Sequence, residues 1–243
     1  MLAAGAGTRL APLTRLLPKA LCPVGNRPLV DYALERVQRH TADVAVNVHA
    51  HPHRMRSHLD GRAHLSLEEP EALGTAGALG NLRTWIDERP VLVTNADAWL
   101  RDDLSRLLGG WDGERVRLLV VDDPERGDFG RYRYAGACLL PWSVTAQLDA
   151  TPSGLYEVCW RQEYQAGRLD FYLTDQTFID CGTPRNYLAA NMDWSGGRNV
   201  IGADAIVEGD LTRCVVWPGG VVAAGETLKE VIRVGTDLTV SGE

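Results

Sequence analysis

The chain has 243 residues, 45% of them hydrophobic, which suits one large α/β domain or one domain with a small appendage. A formal net charge of −7 excludes a general nucleic-acid binder, which presents a basic surface, but leaves room for anionic small ligands where local cations gather. No apolar run approaches the roughly eighteen residues of a membrane span, and no secretory leader is expected before the first motif. Cys22, Cys138, Cys159, Cys181 and Cys214 are widely spaced and form no CxxC pair, so they predict reduced thiols in a cytoplasmic protein, without disulfides or structural zinc.

The opening segment runs from apolar Leu2, Ala3 and Ala4 into Gly5-Ala6-Gly7-Thr8, and fixed positive charges follow at Arg9 and Lys19. Glycines let backbone N–H groups approach an anion closely, arginine offers a planar fork to phosphate oxygens, and lysine offers a mobile point charge. The combination reads as a polyphosphate cradle. A dinucleotide fingerprint would need a small residue where Leu10 stands. A Walker loop would end in Gly-Lys-Ser/Thr, whereas this one has Gly7-Thr8-Arg9. On Gly-x-Gly alone, a plain turn with surface cations stays open.

Short apolar strands then alternate with amphipathic helices. The pattern predicts a helix over 28–40 with Leu29, Tyr32, Ala33 and Val37 on one face, and a buried strand over 43–48. It also predicts a helix over 74–86 entered through Gly74-Thr75, and strands over 90–95 and 116–121. This order implies a Rossmann-like, mixed and mainly parallel sheet with helices on both faces, whose ligands sit at the carboxyl ends of strands. The His49-Ala-His-Pro-His53 cluster lacks supporting carboxylates and reads as surface histidines.

The texture changes after Met192. A short linker over 194–198 leads into apolar residues at roughly six-residue intervals across 200–211, 214–222 and 231–235. The division expected is a catalytic domain over 1–193 and a tail over 194–243. So short a stack buries little alone, so Val215, Val216, Trp217 and Val221 are expected at an exposed end that lies on the catalytic domain or on a second subunit, favouring a homo-oligomer.

The stretch from Leu2 to Pro28, LAAGAGTRLAPLTRLLPKALCPVGNRP, closely resembles the signature of the sugar-1-phosphate nucleotidyltransferases, and further motifs extend the resemblance over about 190 residues. It implies an enzyme that makes a nucleoside diphosphate sugar and pyrophosphate from a nucleoside triphosphate and a sugar 1-phosphate. Arg9 and Lys19 would be catalytic, holding the phosphates. Asn95-Ala96-Asp97 resembles the family's Asn-Gly-Asp, and Asp180 in Asp-Cys-Gly-Thr-Pro resembles its second acidic turn, which makes Asp97 and Asp180 the Mg²⁺ ligands. Two aspartates suffice for Mg²⁺ when phosphate and water complete its shell.

The nucleotide would be met by Leu2, Ala3, Ala4, Gly5, Gly7, Thr8, Asn95 and the Glu69…Gly74-Thr75 loop, with the helix start behind that loop favouring phosphate. Tyr134-Ala135-Gly136 stands where relatives have Asn-Ala-Gly on the sugar side, and Glu157 would be a further sugar contact. The shortened 127–134 segment resembles the N-acetylmuramate-1-phosphate uridylyltransferase branch. The tail resembles the short left-handed parallel β-helix of mannose- and glucose-1-phosphate branches, so base and sugar stay open. Relatives carry three or four apolar residues before Leu-Ala-Ala-Gly, so a start upstream of Met1 is expected. Rival readings are a non-catalytic regulatory homologue that binds nucleotide-sugar, and a cytidylyltransferase for a phospho-alcohol such as phosphocholine. The intact Arg9, Lys19, Asp97 and Asp180 weigh against the first, and the tail and the Gly-Thr-Ala-Gly loop against the second.

Overall fold

The computed structural model describes residues 1–242. They group into two compact units, each assembled from separated stretches of chain. The first comprises Met1–Gly5, Ala33–Ala96 and Leu100–Phe178; the second comprises Ala6–Tyr32, Asp97–Trp99 and the stretch from Ile179 onward. The tail therefore shares its unit with the glycine–cation loop.

The first unit is built on a mixed sheet. His64–Leu67 pairs in parallel with Ala45–Val48, and Leu2 alone bridges Asn47 and Asn95, parallel to both. Val91–Thr94 then pairs with Tyr132–Leu140, which pairs with Arg117–Asp122, and that strand pairs with Asp170–Leu173. Tyr132–Leu140 is antiparallel to both neighbours, while the other pairings are parallel. Leu2 holds its place through Leu2 N–H to Thr94 O at 2.8 Å and Ala96 N–H to Leu2 O at 2.9 Å. The Met1 nitrogen lies beside it and donates to Ala45 O at 2.7 Å. Val93, Leu118, Val120, Cys138 and Leu140 fill one face of this sheet with Leu79, Ile86 and Trp160, while Leu119, Ala135, Ala137 and Leu139 pack the other with Leu104 and Leu107.

The helix expected over 28–40 is Leu29–Gln38, burying Leu29, Ala33 and Val37 with Tyr32 half-buried. The helix expected over 74–86 is broken at Leu82 into Gly74–Asn81 and Arg83–Ile86. Gly74, Gly77 and Gly80 lie one turn apart, and the backbone of 149–153 packs directly on them: a Cβ on Gly77 would stand 2.3 Å from Thr151 O. Two of its first-turn amides meet protein, Ala76 N–H donating to Ser153 O at 3.0 Å and Gly77 N–H to the same oxygen at 3.5 Å. Thr75 Oγ1 accepts from Leu155 N–H at 2.8 Å.

The second unit centres on the helix Pro184–Ser195. Thr183 caps it by accepting from Asn186 N–H at 3.2 Å, Pro184 starts it with a preset φ, and Gly196 ends it in the left-handed region. The fully buried Tyr187 donates its hydroxyl hydrogen to Pro23 O and accepts from Trp217 Nε1 at 3.0 Å.

After the helix, parallel ladders repeat in order. Val200–Ile201, Val215–Val216 and Val231–Val234 form one; Ile206–Val207 and Val221–Val222 a second; Asp210–Thr212 and Thr227–Lys229 a third. Leu238–Ser241 closes the first ladder antiparallel to Val231–Val234. Val215 and Trp217 are buried with Leu10, Tyr187, Leu188 and Ile232, so this face lies on residues of 1–193, the first of the two expected alternatives; Val216 is buried and Val221 half-buried. Trp194, Ile201 and Ile206 are the exposed apolar residues of the tail region instead. Among the described residues no helix is long and apolar enough to cross a membrane, and all five cysteines are free and buried.

Two substitutions test this packing. Gly77→Ala in an open helix would stabilise by about 1 kcal/mol; here the added Cβ meets the Thr151 carbonyl, and a net loss of about 1–3 kcal/mol is expected in urea unfolding. A gain would show that the 149–153 backbone does not press on the helix. Tyr187→Phe strands the Trp217 N–H and is expected to cost about 1–3 kcal/mol without changing the denaturant slope.

Candidate active site

Asp97 precedes the strand Ala98–Leu100, and Asp180 ends the strand Phe178–Asp180 with which it pairs. Lys19 starts a single 3₁₀ turn, Lys19–Leu21, behind Pro18, and that turn fixes its Cα while the side chain stays long and mobile. The three side chains converge. Lys19 Nζ lies 3.1 Å from Asp97 Oδ2 and 3.0 Å from Asp180 Oδ1. Arg9 Nη2 stands 3.5 Å from the other Asp180 oxygen, Oδ2. Lys19 is only 8% exposed, whereas Arg9 is 71% exposed and reaches the cluster from solvent.

Backbone geometry sets these distances. Gly182 follows Asp180 in the acidic turn, and a Cβ there would lie 2.9 Å from Arg9 Nη2 and 3.1 Å from Asp180 Oδ1. The absent side chain is what lets Arg9 and the carboxylate approach. Asn186 Nδ2 donates to the Asp180 carbonyl at 2.8 Å, tying the turn to the first turn of the capped helix. Thr14 Oγ1 donates to Gly7 O at 2.9 Å and fixes the glycine loop that precedes Thr8 and Arg9.

Burial by itself would lower the Lys19 pKa, but Asp97 and then Asp180 outweigh it and hold the ammonium above its ordinary 10.5. Burial likewise pushes Asp180 upward, yet Lys19 foremost, then Arg9 and the Gly182 N–H, hold its carboxyl below 3.8. Both shifts favour the charged pair. Burial pushes the neighbouring thiols of Cys22 and Cys181 up to about 12, so neither is a nucleophile.

Of the remaining predicted residues, Gly7 and Thr8 belong to the second unit and the others to the first. Leu2, Ala3 and Ala4 line the sheet, and the Ala3 N–H is already bonded to Asn47 Oδ1 at 2.7 Å, so the Leu2 and Ala3 amides are taken by protein acceptors. Gly5 and Thr8 are exposed. Asn95 N–H donates to Gly136 O at 2.8 Å, and Gly136, at φ +79°, occupies the bulge where Tyr132–Leu140 slips against Arg117–Asp122. Tyr134 packs on Trp160 and its N–H donates to Asp128 Oδ2 at 2.8 Å. Glu157 is exposed and folds back over Gly154, next to Leu155, which bonds Thr75.

Glu69 is exposed, whereas its neighbour Glu68 is buried and accepts from Asn47 Nδ2 at 2.8 Å and Leu73 N–H at 2.7 Å. Asn47 and Glu68 thus shape the loop that leads to Gly74. Sequence reasoning missed both, although a polar residue in the middle of an apolar strand was a signal for Asn47. His49 Nδ1 contacts Glu68 O at 3.0 Å, and no cluster of three or more His, Cys, Asp or Glu among the described residues could hold a metal unaided.

The charge cluster has a pH signature. Asp180, depressed in the folded state, adds stability that is complete above its ordinary 3.8 and is lost as acid takes the pH through its lower folded value. Lys19, raised in the folded state, adds stability that is complete below 10.5 and is lost as the pH rises past its higher folded value. In Lys19→Met the acid limb of a melting-temperature profile is expected to begin at higher pH; an unchanged acid limb would mean that Lys19 does not hold Asp180 ionised.

Comparison with known proteins follows the same pattern. The family described as nucleotidyl transferase matches residues 1–134. The N-acetylmuramate alpha-1-phosphate uridylyltransferase of Caulobacter vibrioides is 34% identical over 227 residues, covering 78% of this chain and 93% of that protein. A mannose-1-phosphate guanyltransferase of Aspergillus oryzae is 36% identical over 224 residues, covering 78% of this chain and 62% of that protein. Among solved structures, a putative glucose-1-phosphate thymidylyltransferase from Bacillus anthracis superposes with a TM-score of 0.69 at 21% identity, covering 78% of this chain and 92% of that one. A structure titled mannose-1-phosphate geranyltransferase from Thermus thermophilus superposes with a TM-score of 0.73 at 18% identity, covering 99% of this chain and 93% of that one. These two show the mixed α/β fold. With the matched family model and the Caulobacter relative, the chain belongs to the nucleotidyl transferase family, among the sugar-1-phosphate nucleotidyltransferases.

Proposed function

We propose that Arg9, Lys19, Asp97 and Asp180 are the phosphate- and metal-handling core of a reaction in which a nucleoside monophosphate passes from a nucleoside triphosphate to a sugar 1-phosphate. The observation that carries this reading is the meeting of Asp97 and Asp180 on one cation, with Arg9 alongside. A phosphate oxygen of the sugar 1-phosphate attacks the α-phosphorus and forms a new P–O bond. The bond to the bridging oxygen breaks, and pyrophosphate leaves with the electron pair. Arg9 forks onto phosphate from the solvent side, and Lys19 follows the charge that grows on the departing pyrophosphate. Positioning and charge stabilisation dominate in phosphoryl transfer, so no protein nucleophile is required.

The donor set fits a hard divalent ion. Two partly exposed carboxylates directed at one point suit Mg²⁺, which takes one or two carboxylates and completes its shell with phosphate and water. When bound, such an ion neutralises phosphate charge and orients the triphosphate.

Leu2, Ala3, Ala4, Gly5, Gly7, Thr8, Glu69, Gly74, Thr75 and Asn95 take the nucleotide, and Tyr134, Gly136 and Glu157 the sugar. With the Leu2 and Ala3 amides and the Leu2 carbonyl already bonded to protein, the nucleotide contacts there fall to the remaining backbone and to Cβ surfaces. The catalytic part is 1–193, and 194–243 is a short left-handed parallel β-helix that supports assembly into a homo-oligomer in the cytoplasm. Uridylyl transfer to N-acetylmuramate 1-phosphate leads the substrate order, because the relative so named is matched over 93% of its length.

The test is a pyrophosphate-release screen of nucleoside triphosphates against sugar 1-phosphates with Mg²⁺, in which UTP with N-acetylmuramate 1-phosphate is expected to be fastest. Asp97→Ala and Asp180→Ala should each lower turnover by about 10²-fold or more. Near wild-type turnover in either purified, folded variant removes that residue from the mechanism.

A further inference from the structure

The nitrogen of Lys19 occupies the place between Asp97 Oδ2 and Asp180 Oδ1, at 3.1 and 3.0 Å. A divalent ion the size of Mg²⁺ binds carboxylate oxygens at about 2.1 Å, so an ion using these two oxygens would claim the space the ammonium holds. Charge forbids sharing as firmly as size does, since a dication and an ammonium a few ångströms apart repel strongly at a partly buried site. The Lys19 backbone is pinned in its 3₁₀ turn, with Cys22 N–H bonded to Lys19 O at 3.0 Å, so the adjustment falls to the flexible side chain.

We propose that Lys19 is the resident counter-ion of the carboxylate pair, and that divalent cation and ammonium exchange there, Lys19 moving onto phosphate as the cation takes the aspartates. This rests on the functional reading above and gives Lys19 a role before the chemistry. Cation alone binds weakly, because it would leave a nearly buried ammonium without an anion. A triphosphate removes that obstacle, supplying the cation's remaining ligands and a new partner for Lys19 together. Metal and nucleotide are then coupled through one side chain, and the coupling is reciprocal.

A merely structural Lys19, holding two carboxylates in place for the metal, has the opposite consequence: its removal would let the pair splay and weaken cation binding. The sign of the effect separates the two. Mn²⁺ binding to nucleotide-free protein, followed by electron paramagnetic resonance, is expected to tighten by about tenfold or more in Lys19→Met. Unchanged or weaker binding overturns the exchange.

The chain has just two lysines, Lys19 and the exposed Lys229, which gives a second readout on the wild-type protein that does not depend on the variant folding. Amine acylation followed by mass spectrometry should label Lys19 several-fold more slowly than Lys229 without metal. Saturating Mn²⁺ alone should then raise Lys19 labelling several-fold relative to Lys229, and no rise overturns the proposal. Asp97→Asn and Asp180→Asn keep the outcomes apart. If both abolish Mn²⁺ binding while Lys19→Met fails to tighten it, the exchange fails and the metal reading stands. If neither affects Mn²⁺ binding, the metal reading itself fails.

Discussion

One ammonium held between two carboxylates organises the functional half of this molecule. Lys19, Asp97 and Asp180 come from three distant stretches of chain, and a like-charged pair of aspartates would not sit so close without the cation between them. The local structure serves that meeting: a proline-led turn places Lys19, paired strands bring the aspartates to their ends, and Gly182 clears room for Arg9. In an ion cluster so far withdrawn from solvent, desolvation offsets much of the Coulombic gain, so it adds only modestly to stability. Its value is electrostatic preorganisation, a set of fixed charges arranged for a polyphosphate and its counter-ion before either arrives.

The rest of the second unit steadies that arrangement through apolar packing and one polar thread. Tyr187 joins the Pro23 carbonyl near the cation loop to the Trp217 indole in the tail, in a core where an unpaired polar atom is costly. Trp99, next but one to Asp97, donates its Nε1–H to Asp193 at 2.7 Å and packs edge-on against Tyr32 at 5.0 Å between ring centroids. The tail therefore belongs to the scaffold behind the carboxylates and is more than an appended stack of strands.

The first unit uses polar groups differently. Asn47 and Glu68, both buried, link the opening Leu2–Ala3 segment to the loop before Gly74, so the two segments expected to face a nucleotide share one hydrogen-bonded brace. The glycines of the Gly74–Asn81 helix serve close packing on the 149–153 backbone, with Ser153 O capping the helix. Motif glycines there meet protein backbone, which explains how a Gly-Thr-Ala-Gly run is a packing requirement as well as a recognition signal.

Much was legible from residue order alone. The alternation of strands and helices, the Leu29–Gln38 helix, the repeating short strands of the tail and the cation-rich glycine loop are local patterns, set by side-chain periodicity and backbone freedom over a few residues. The family signature added the identity of the aspartates. Only the tertiary structure decided which partners these groups meet. That Tyr132–Leu140 runs against its neighbours, that Leu2 alone spans two strands, that Glu68 is buried while Glu69 is exposed, and that Val215, Val216 and Trp217 lie inside all depend on strand register and long-range packing. Local sequence carries little information about register, because one hydrogen-bond ladder is much like another until side chains from distant segments compete for the same interior. The same reason hid the place of Lys19: its charge was evident from the sequence, but its two partners were chosen by the fold.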